Sequence, residues 1–313
     1  MIELHLHLDG SLRPETVLEL SNIQNIDIGT KDINILKNMM KVEEDCKTLE
    51  ECLKRFDLPL KVLQTSQAIE RVSYELVEDL QKIGITYAEI RFAPQLSTRK
   101  GLTQSEVVES AIKGVKKAMN QFKNINCALI LCCMRGLDIE NENLETIEVA
   151  KKYIGDVVCA IDLAGAESLY STDIFENIFN KAREYNLPMT IHAGEASGID
   201  SIKKALEYGT KRIGHGVSCI DDYDFVEELI KNDVLLEICI TSNYHTKVVQ
   251  SIDKHPIKKL FDRGVKITIN SDNMTVSDTN LLKEIEIAKN YFGFTDDDIR
   301  KMQNYAYEYR FLK

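Results

Sequence analysis

Eight short β-rich runs alternate with amphipathic stretches along almost the whole chain, and this alternation restricts the fold more than any other feature. The candidate strands are Glu3–Leu8, Tyr87–Ala93, Cys127–Met134, Val157–Leu163, Met189–His192, Arg212–His215, Leu235–Ile240 and Lys266–Ile269. Strands that alternate with helices pair in parallel, because a parallel neighbour needs a crossover connection. Eight such units close into a (β/α)8 TIM barrel, which is the fold we predict.

The segments between the strands carry helix signals. Apolar residues recur every three or four positions over 69–83, and Gly84 follows as a C-terminal cap. Capping boxes occur at Thr103-x-x-Glu106 and Thr295-x-x-Asp298. Pro256 and Gly264 mark the start and the end of another short helix. The stretch of about 14–65 is too long for a single crossover. We therefore expect extra helices, inserted after the first strand, that cover the barrel mouth and the active site.

An open doubly wound sheet is the competing architecture. It needs a glycine-rich turn after the first strand, which Asp9-Gly10-Ser11-Leu12 does not provide. The length would allow two domains, but no Pro/Gly/Ser-rich linker divides the chain. We predict one domain over residues 1–313.

Composition narrows the class of protein. The net charge of −11 would repel nucleic acid, so a small-molecule substrate is expected. No run of about 18 apolar residues predicts a membrane span, and no signal peptide precedes the first strand. The eight cysteines include no Cys-x-x-Cys pair and are predicted to be reduced thiols of a cytoplasmic protein.

Polar side chains fall at the C-terminal ends of the predicted strands, where barrel enzymes assemble their active sites. They are His5 and His7 on the first strand, His192 and Glu195 at the fifth, His215 at the sixth and Asp272 after the eighth. Alternate strand residues face the same side, so His5 and His7 should point inward together. A lone histidine is more often a hydrogen-bonded core residue than a ligand. A shared site explains the common location of all six better.

Three imidazoles and a carboxylate match Zn²⁺ or another borderline divalent cation, with a position left for water. We assign as ligands of one such ion His5, His7, His192 and Asp272. A metal lowers the pKa of its bound water from about 15.7 to about 7. His215 is predicted to act as base and electrostatic partner of the resulting hydroxide, and Glu195 as proton donor.

Two further sequence features refine this site. The fourth strand ends Asp162-Leu163-Ala164-Gly165, without the lysine that bridges two ions in many barrel hydrolases, so one metal ion per chain is predicted. The remaining histidines, His245 and His255, lie in loop-like contexts and are expected to have surface roles.

Six short motifs carry these polar residues and follow one another along nearly the whole chain. They are His5-Leu-His7-Leu-Asp9-Gly-Ser, Asp162-Leu-Ala-Gly165, His192-Ala-Gly-Glu195, Gly214-His215-Gly216, Thr241-Ser-Asn243 and Asn270-Ser-Asp272. In this order they resemble the adenosine deaminase family of the amidohydrolase superfamily. The stretch 56–65 also resembles the family's substrate-covering helix region.

The resemblance implies zinc-dependent hydrolytic deamination of adenosine and 2′-deoxyadenosine, which gives inosine or 2′-deoxyinosine and ammonia. It implies that metal-bound hydroxide, oriented by His215 and Asp272, attacks purine C6 while Glu195 protonates N1. Zinc deaminases of the other fold carry His-x-Glu and Pro-Cys-x-x-Cys motifs, which this chain lacks.

The resemblance also implies substrate contacts. Gly165 would contact N3 through its backbone N–H, and Asp9, with His7, would face the ribose. Asn273 stands where many relatives carry an Asp that binds N7. An amide donates to N7 directly, whereas a carboxyl group must first hold a proton. Ala166 replaces another frequent Asp, with an effect that the sequence does not predict.

Several alternatives stay open at this point. Adenine or a 5′-modified adenosine of the 5′-thio or futalosine type are rival substrates. A nucleotide is disfavoured because Asp9 would repel its phosphate, and free adenine would leave Asp9 without a partner. A phosphoesterase or nuclease barrel can also begin with His-x-His, but it generally binds two or three metals. A purine-binding protein without activity would need no acid such as Glu195. The oligomeric state is not predicted.

Overall fold

The computed structural model describes residues 1–43 and 46–313, and its strands form a barrel. The strands are β1 (Ile2–His7), β2 (Tyr87–Phe92), β3 (Asn126–Met134), β4 (Val158–Ala164), β5 (Ile191–Ala193), β6 (Arg212–His215), β7 (Leu235–Ile238) and β8 (Lys266–Ile269). They pair in parallel as β1-β2-β3-β4 and β5-β6-β7-β8. Bridges between Ile161 and Met189 and between Leu6 and Asp272 join the two sheets at both seams. The predicted (β/α)8 barrel is confirmed.

Helices follow the strands and surround the barrel. They are α1 (Pro14–Ile23), α2 (Ile33–Met40), α3 (Leu49–Leu53), α4 (Asp57–Val62), α5 (Ser66–Lys82), α6 (Gln104–Gln121), α7 (Glu140–Tyr153), α8 (Glu176–Glu184), α9 (Ile199–Glu207), α10 (Tyr223–Lys231), α11 (Ile240–His245), α12 (Ile257–Arg263), α13 (Leu281–Phe292) and α14 (Asp296–Tyr309). Short 3-10 helices occupy Lys54–Phe56, Pro94–Ser97, Thr172–Phe175, Val217–Asp221 and Ile252–Lys254. In the described part of the chain, no helix combines the length and apolar character needed to cross a bilayer.

The local signals for helix ends agree with the structure. Thr103 and Thr295 each form a complete capping box, at the start of α6 and α14. Gly264 ends α12 with a φ of 100°, in the left-handed region that favours glycine. Six of the eight predicted strands differ from the structure by one or two residues at an end. The end predicted for β7 was wrong because this strand stops at Ile238 and Ile240 already begins α11.

A network of buried charged side chains lies inside the barrel. Glu237 accepts hydrogen bonds from Arg91 Nη2 at 2.8 Å and from Arg212 Nε at 2.6 Å. It also accepts one from Thr190 Oγ1 at 3.0 Å. All three charged side chains are buried, so their mutual pairing offsets the cost of removing them from water. This network fixes Glu237 directly behind His5.

Candidate active site

Four metal-ligating side chains converge at the C-terminal end of the barrel. The ligand atoms of His5, His7, His192 and Asp272 all lie within 4.8 Å of one another. His7 Nε2 lies 3.1 Å from His192 Nε2 and 3.4 Å from Asp272 Oδ1. His5 Nε2 lies 3.5 Å from the same Oδ1 atom. These are the four residues that the sequence predicts as ligands.

The cluster has the dimensions of a site for a divalent cation. Donor atoms around a tetrahedral ion with bonds of about 2.1 Å are about 3.4 Å apart. His5 Nε2 is buried and has no hydrogen-bond partner among the described residues. Buried polar atoms are rarely left without a partner, and an ion would supply one here. The residues present therefore fit a divalent metal.

Two buried carboxylates orient these imidazoles from behind. Glu237 Oε2 lies 2.9 Å from His5 Nδ1, and Asp162 Oδ2 lies 2.9 Å from His192 Nδ1. Burial alone would raise the pKa of Asp162, but His192 and Arg91 hold it below its usual value. Each imidazole thus turns Nε2 toward the cluster, as in carboxylate–histidine–metal sites generally. Sequence reasoning missed Glu237, whose signal is an acidic residue inside an apolar strand.

Glu195, in the loop after β5, and His215, the last residue of β6, lie beside this cluster. His215 Nε2 lies 3.6 Å from Glu195 Oε2, and its ring centroid lies 4.9 Å from that of His5. Burial raises the pKa of Glu195 well above its ordinary value, and the negative charges of Asp272 and Glu167 add to this effect. A carboxyl group that keeps its proton near neutral pH can act as a general acid.

Two of the site residues, His215 and Asp272, have strained backbone conformations. His215 has a φ of 64° and Asp272 a φ of 59°, in the left-handed region that non-glycine residues seldom adopt. Such strain persists only where surrounding contacts hold it, and it concentrates at functional sites. For Asp272 those contacts are backbone hydrogen bonds to β1, from His7 N at 2.7 Å and to His5 O at 2.9 Å.

A cavity of about 310 Å³ opens above the metal cluster. The predicted substrate-binding residues all line it, and these are His7, Asp9, Gly165 and Asn273. Asp9 Oδ1 and Asn273 Oδ1 are buried and lack a hydrogen-bond partner in residues 1–43 and 46–313. The opposite wall is mainly apolar and comes from the segment after β1, through Val42, Leu49, Cys52, Leu53, Phe56 and Leu60. A planar ligand with a few polar groups suits such walls.

The two histidines that the sequence predicted to have surface roles are not surface residues. His255 is only 4% exposed and lies 3.1 Å from Asn243 Oδ1 through Nε2, so that prediction was wrong. His245 is partly buried and lines the cavity. The sequence pattern marked their positions as loops, but it carried no information on which loops fold inward.

Comparison with known proteins identifies the family of this chain. A family model described as adenosine deaminase matches residues 1–313. The chain belongs to the adenosine deaminase family. An adenosine deaminase of Clostridium kluyveri is 42% identical over 301 residues, which cover 96% of this chain and 86% of that protein. The resemblance seen in the sequence is confirmed, and the chain is a hydrolytic deaminase of adenosine-type substrates.

Solved structures of related deaminases share the fold. Adenine deaminase from Arthrobacter aurescens superposes with a TM-score of 0.92 at 25% identity, covering 100% of this chain and 94% of that one. The N6-mAMP deaminase of Arabidopsis gives a TM-score of 0.87 at 27% identity, covering 100% and 93%. Within this adenosine deaminase fold, the neighbours named here act on different 6-aminopurine compounds. Family membership alone therefore does not identify the substrate.

Proposed function

We propose that this enzyme is a zinc-dependent deaminase that converts adenosine and 2′-deoxyadenosine to inosine and 2′-deoxyinosine with release of ammonia. The observation that carries the proposal is that Glu195 and His215 meet Asp272 at one cavity. Asp272 is itself one of the four converging metal-ligand groups. A protein that only bound purines would need neither a buried acid nor a cluster of ligand atoms. The similarity to an adenosine deaminase at 42% identity supports the choice of nucleoside.

One Zn²⁺ ion per chain would be held by His5, His7, His192 and Asp272. When bound there, the ion would lower the pKa of a coordinated water, so that its oxygen can attack at neutral pH. The two carboxylates behind His5 and His192 keep both imidazoles turned toward the ion.

The protein residues then move the protons of the reaction. Glu195 donates a proton to purine N1, which withdraws electrons from C6 and allows water to add there. His215 donates from Nε2 to the attacking water as its electrostatic partner rather than as its base, because Nδ1 of the neutral ring already accepts from the Asn243 amide. Asp272 orients the water. Of the two protons of the added water, one passes to the 6-amino group, which leaves as ammonia when the C6–N bond breaks. The other restores the Glu195 acid, so that water and adenosine yield inosine and ammonia. Glu195 suits its role because its pKa is raised by burial.

Unsatisfied polar atoms on the cavity wall support a nucleoside over a base or a nucleotide. Asp9 Oδ1 is a buried acceptor without a hydrogen-bond partner among the described residues, and a ribose hydroxyl would satisfy it. The same carboxylate would repel a 5′-phosphate. Gly165 would donate its N–H to N3, and the Asn273 amide would donate to N7. We also propose that residues 1–313 act as one catalytic domain, with the helices of 14–65 as its cover.

Formation of the 6-oxopurine product from a substrate panel tests this function, because N6-methyl-AMP would release methylamine instead of ammonia. The panel is adenosine, 2′-deoxyadenosine, adenine, AMP, N6-methyl-AMP and 5′-methylthioadenosine. The highest kcat/KM is expected for adenosine and 2′-deoxyadenosine. A clear preference for any other compound would overturn the substrate assignment and leave family membership intact. Metal analysis should find one zinc ion per chain, whereas two or three ions would favour a phosphoesterase-type site.

A further inference from the structure

Glu167 is a buried carboxylate surrounded by backbone N–H groups of the loop that carries Glu195. Its side chain is only 1% exposed. Four consecutive backbone groups donate to it: Gly194 N to Oε1 at 2.7 Å, and Glu195 N, Ala196 N and Ser197 N to Oε2 at 3.0, 2.7 and 3.0 Å. Four successive donors that point at one carboxylate form a strong anion-binding concavity.

The loop has few other ways to satisfy these donors. It connects β5 to α9, and Gly194 turns the chain with a φ of 72°. Ser201, in the first turn of α9, donates its hydroxyl to Glu167 Oε1, and Ser197 Oγ donates to the Glu167 carbonyl at 3.1 Å. Gly194 and Glu195 are buried, and an unpaired backbone donor there would be costly, so this carboxylate stabilises the loop conformation.

We propose that Glu167 is a positioning residue for deamination, whose carboxylate fixes the backbone of residues 194–197 and thereby aims the Glu195 side chain at the substrate. The proposal rests on the proposed role of Glu195 as proton donor. In the described structure Glu195 lines the cavity and Glu167 does not, so Glu167 acts through the loop rather than by touching substrate.

The charge of Glu167 acts in the same direction as its geometry. Burial and the neighbouring carboxylates raise the pKa of Glu195. The other titratable or polar groups that act on Glu195 include Asp272, Arg135 and His215, with the thiol of Cys52 and the hydroxyl of Thr246. Only the protonated carboxyl group can donate, so a negative charge nearby extends the competent range toward higher pH. Loss of that charge should narrow the range from its alkaline side.

Two conservative substitutions separate the charge from the reach of the side chain. Glu167→Gln removes the charge but keeps one acceptor oxygen for the loop. In the zinc-loaded enzyme we expect kcat to fall about tenfold to hundredfold with KM within about twofold of wild type. The alkaline limb of the kcat/KM profile should move to lower pH by about one unit. Glu167→Asp keeps the charge on a shorter side chain, so kcat should fall while the alkaline limb stays in place.

Glu89→Gln is a matched control at the opposite end of the barrel. Glu89 is also buried, and it accepts hydrogen bonds from Tyr87 Oη at 2.9 Å, Arg212 Nη1 at 2.6 Å and Phe311 N at 2.6 Å. This variant should lower the melting temperature but keep the wild-type kcat and pH profile. If Glu167 had only a structural role, Glu167→Gln and Glu89→Gln would both lose activity in proportion to their loss of stability.

The outcomes distinguish this inference from the proposed function. A folded, zinc-loaded Glu167→Gln enzyme with wild-type kcat and pH profile would overturn the positioning role. An equal loss of kcat in Glu89→Gln would do the same. If Glu167→Gln does not fold, a Glu167→Asp enzyme with unchanged kcat overturns it instead. Near-wild-type turnover by Glu195→Gln would instead refute the proton-donor role itself.

Discussion

His255 donates a buried hydrogen bond from Nε2 to Asn243 Oδ1 across 3.1 Å, and the backbone dictates its direction. Ile257 N–H donates to His255 Nδ1 at 3.1 Å, so the imidazole proton must lie on Nε2. The Asn243 amide then donates through Nδ2 to His215 Nδ1 at 3.0 Å. A backbone amide of α12 therefore selects, through two side chains, the His215 tautomer whose proton lies on Nε2, the ring nitrogen that lies on the Glu195 side.

This relationship makes stability depend on pH through His255. Burial lowers the pKa of His255 to about 3, whereas an unfolded chain has about 6.5. The unfolded state therefore binds the proton first as the pH falls. The contribution to stability is complete above about pH 6.5 and declines toward pH 3 by about 1.4 kcal/mol per pH unit.

Urea unfolding of wild type and His255→Gln at pH 7, 6 and 5 measures this contribution. The stability difference between the two proteins should shrink by about 1 kcal/mol between pH 6 and pH 5. Subtracting the variant removes the titration of the other five histidines, which both proteins share. A difference that stays constant with pH would show that His255 titrates normally in the folded protein.

Removing the Asp272 carboxylate should weaken metal binding without unfolding the barrel. Asp272→Ala deletes one of four converging ligand groups but keeps the backbone bonds between this residue and β1. Loss of a partner behind a ligand costs about tenfold to hundredfold in affinity, so loss of a ligand should cost at least about a hundredfold. Competition with a chromophoric chelator measures the Kd for zinc. Asp253→Ala, which changes an exposed carboxylate, should bind zinc like wild type.

Gly10 and Asn273 are too close for any side chain at residue 10. A Cβ atom on Gly10 would lie 1.8 Å from Asn273 Oδ1 and 2.7 Å from its Cγ. Gly10→Ala must therefore displace the Asn273 amide, and kcat/KM for adenosine should fall about tenfold or more while zinc content stays at wild type. Gly198→Ala meets no atom within 4 Å and serves as the control.

A double mutant identifies the cause of that loss. In an Asn273→Ala background, Gly10→Ala should cost little further activity, because the amide it would displace is gone and only the Cβ atom of residue 273 remains, at 3.0 Å. Full additivity of the two losses would place the effect of Gly10→Ala elsewhere. A wild-type kcat/KM in Gly10→Ala would show that Asn273 can move without affecting the substrate.

The parts of this enzyme that the sequence predicted are those with a short-range signal. His5 and His7 share a strand face because side chains alternate, and Thr103 caps α6 because Glu106 follows three residues later. Glu167 contacts a loop 28 positions further along the chain, and His255 contacts Asn243 in α11, 12 positions before it. No local pattern reports which loops meet, so these residues could not be identified before the fold was known.

The Gly114→Ala substitution tests how tightly the outer helices α5 and α6 pack. The sign of its change in unfolding free energy separates helix propensity from steric overlap. By helix propensity alone, Gly114→Ala in the middle of α6 should stabilise the protein by about 1 kcal/mol. However, the new Cβ would lie 2.2 Å from the backbone oxygen of Glu70 and 2.8 Å from Ser73 Cβ, both on α5. Backbone atoms of a packed helix cannot move aside cheaply, so we expect net destabilisation of about 1–3 kcal/mol. Urea unfolding decides between the two, because a stabilised variant would mean that α5 and α6 can separate without loss.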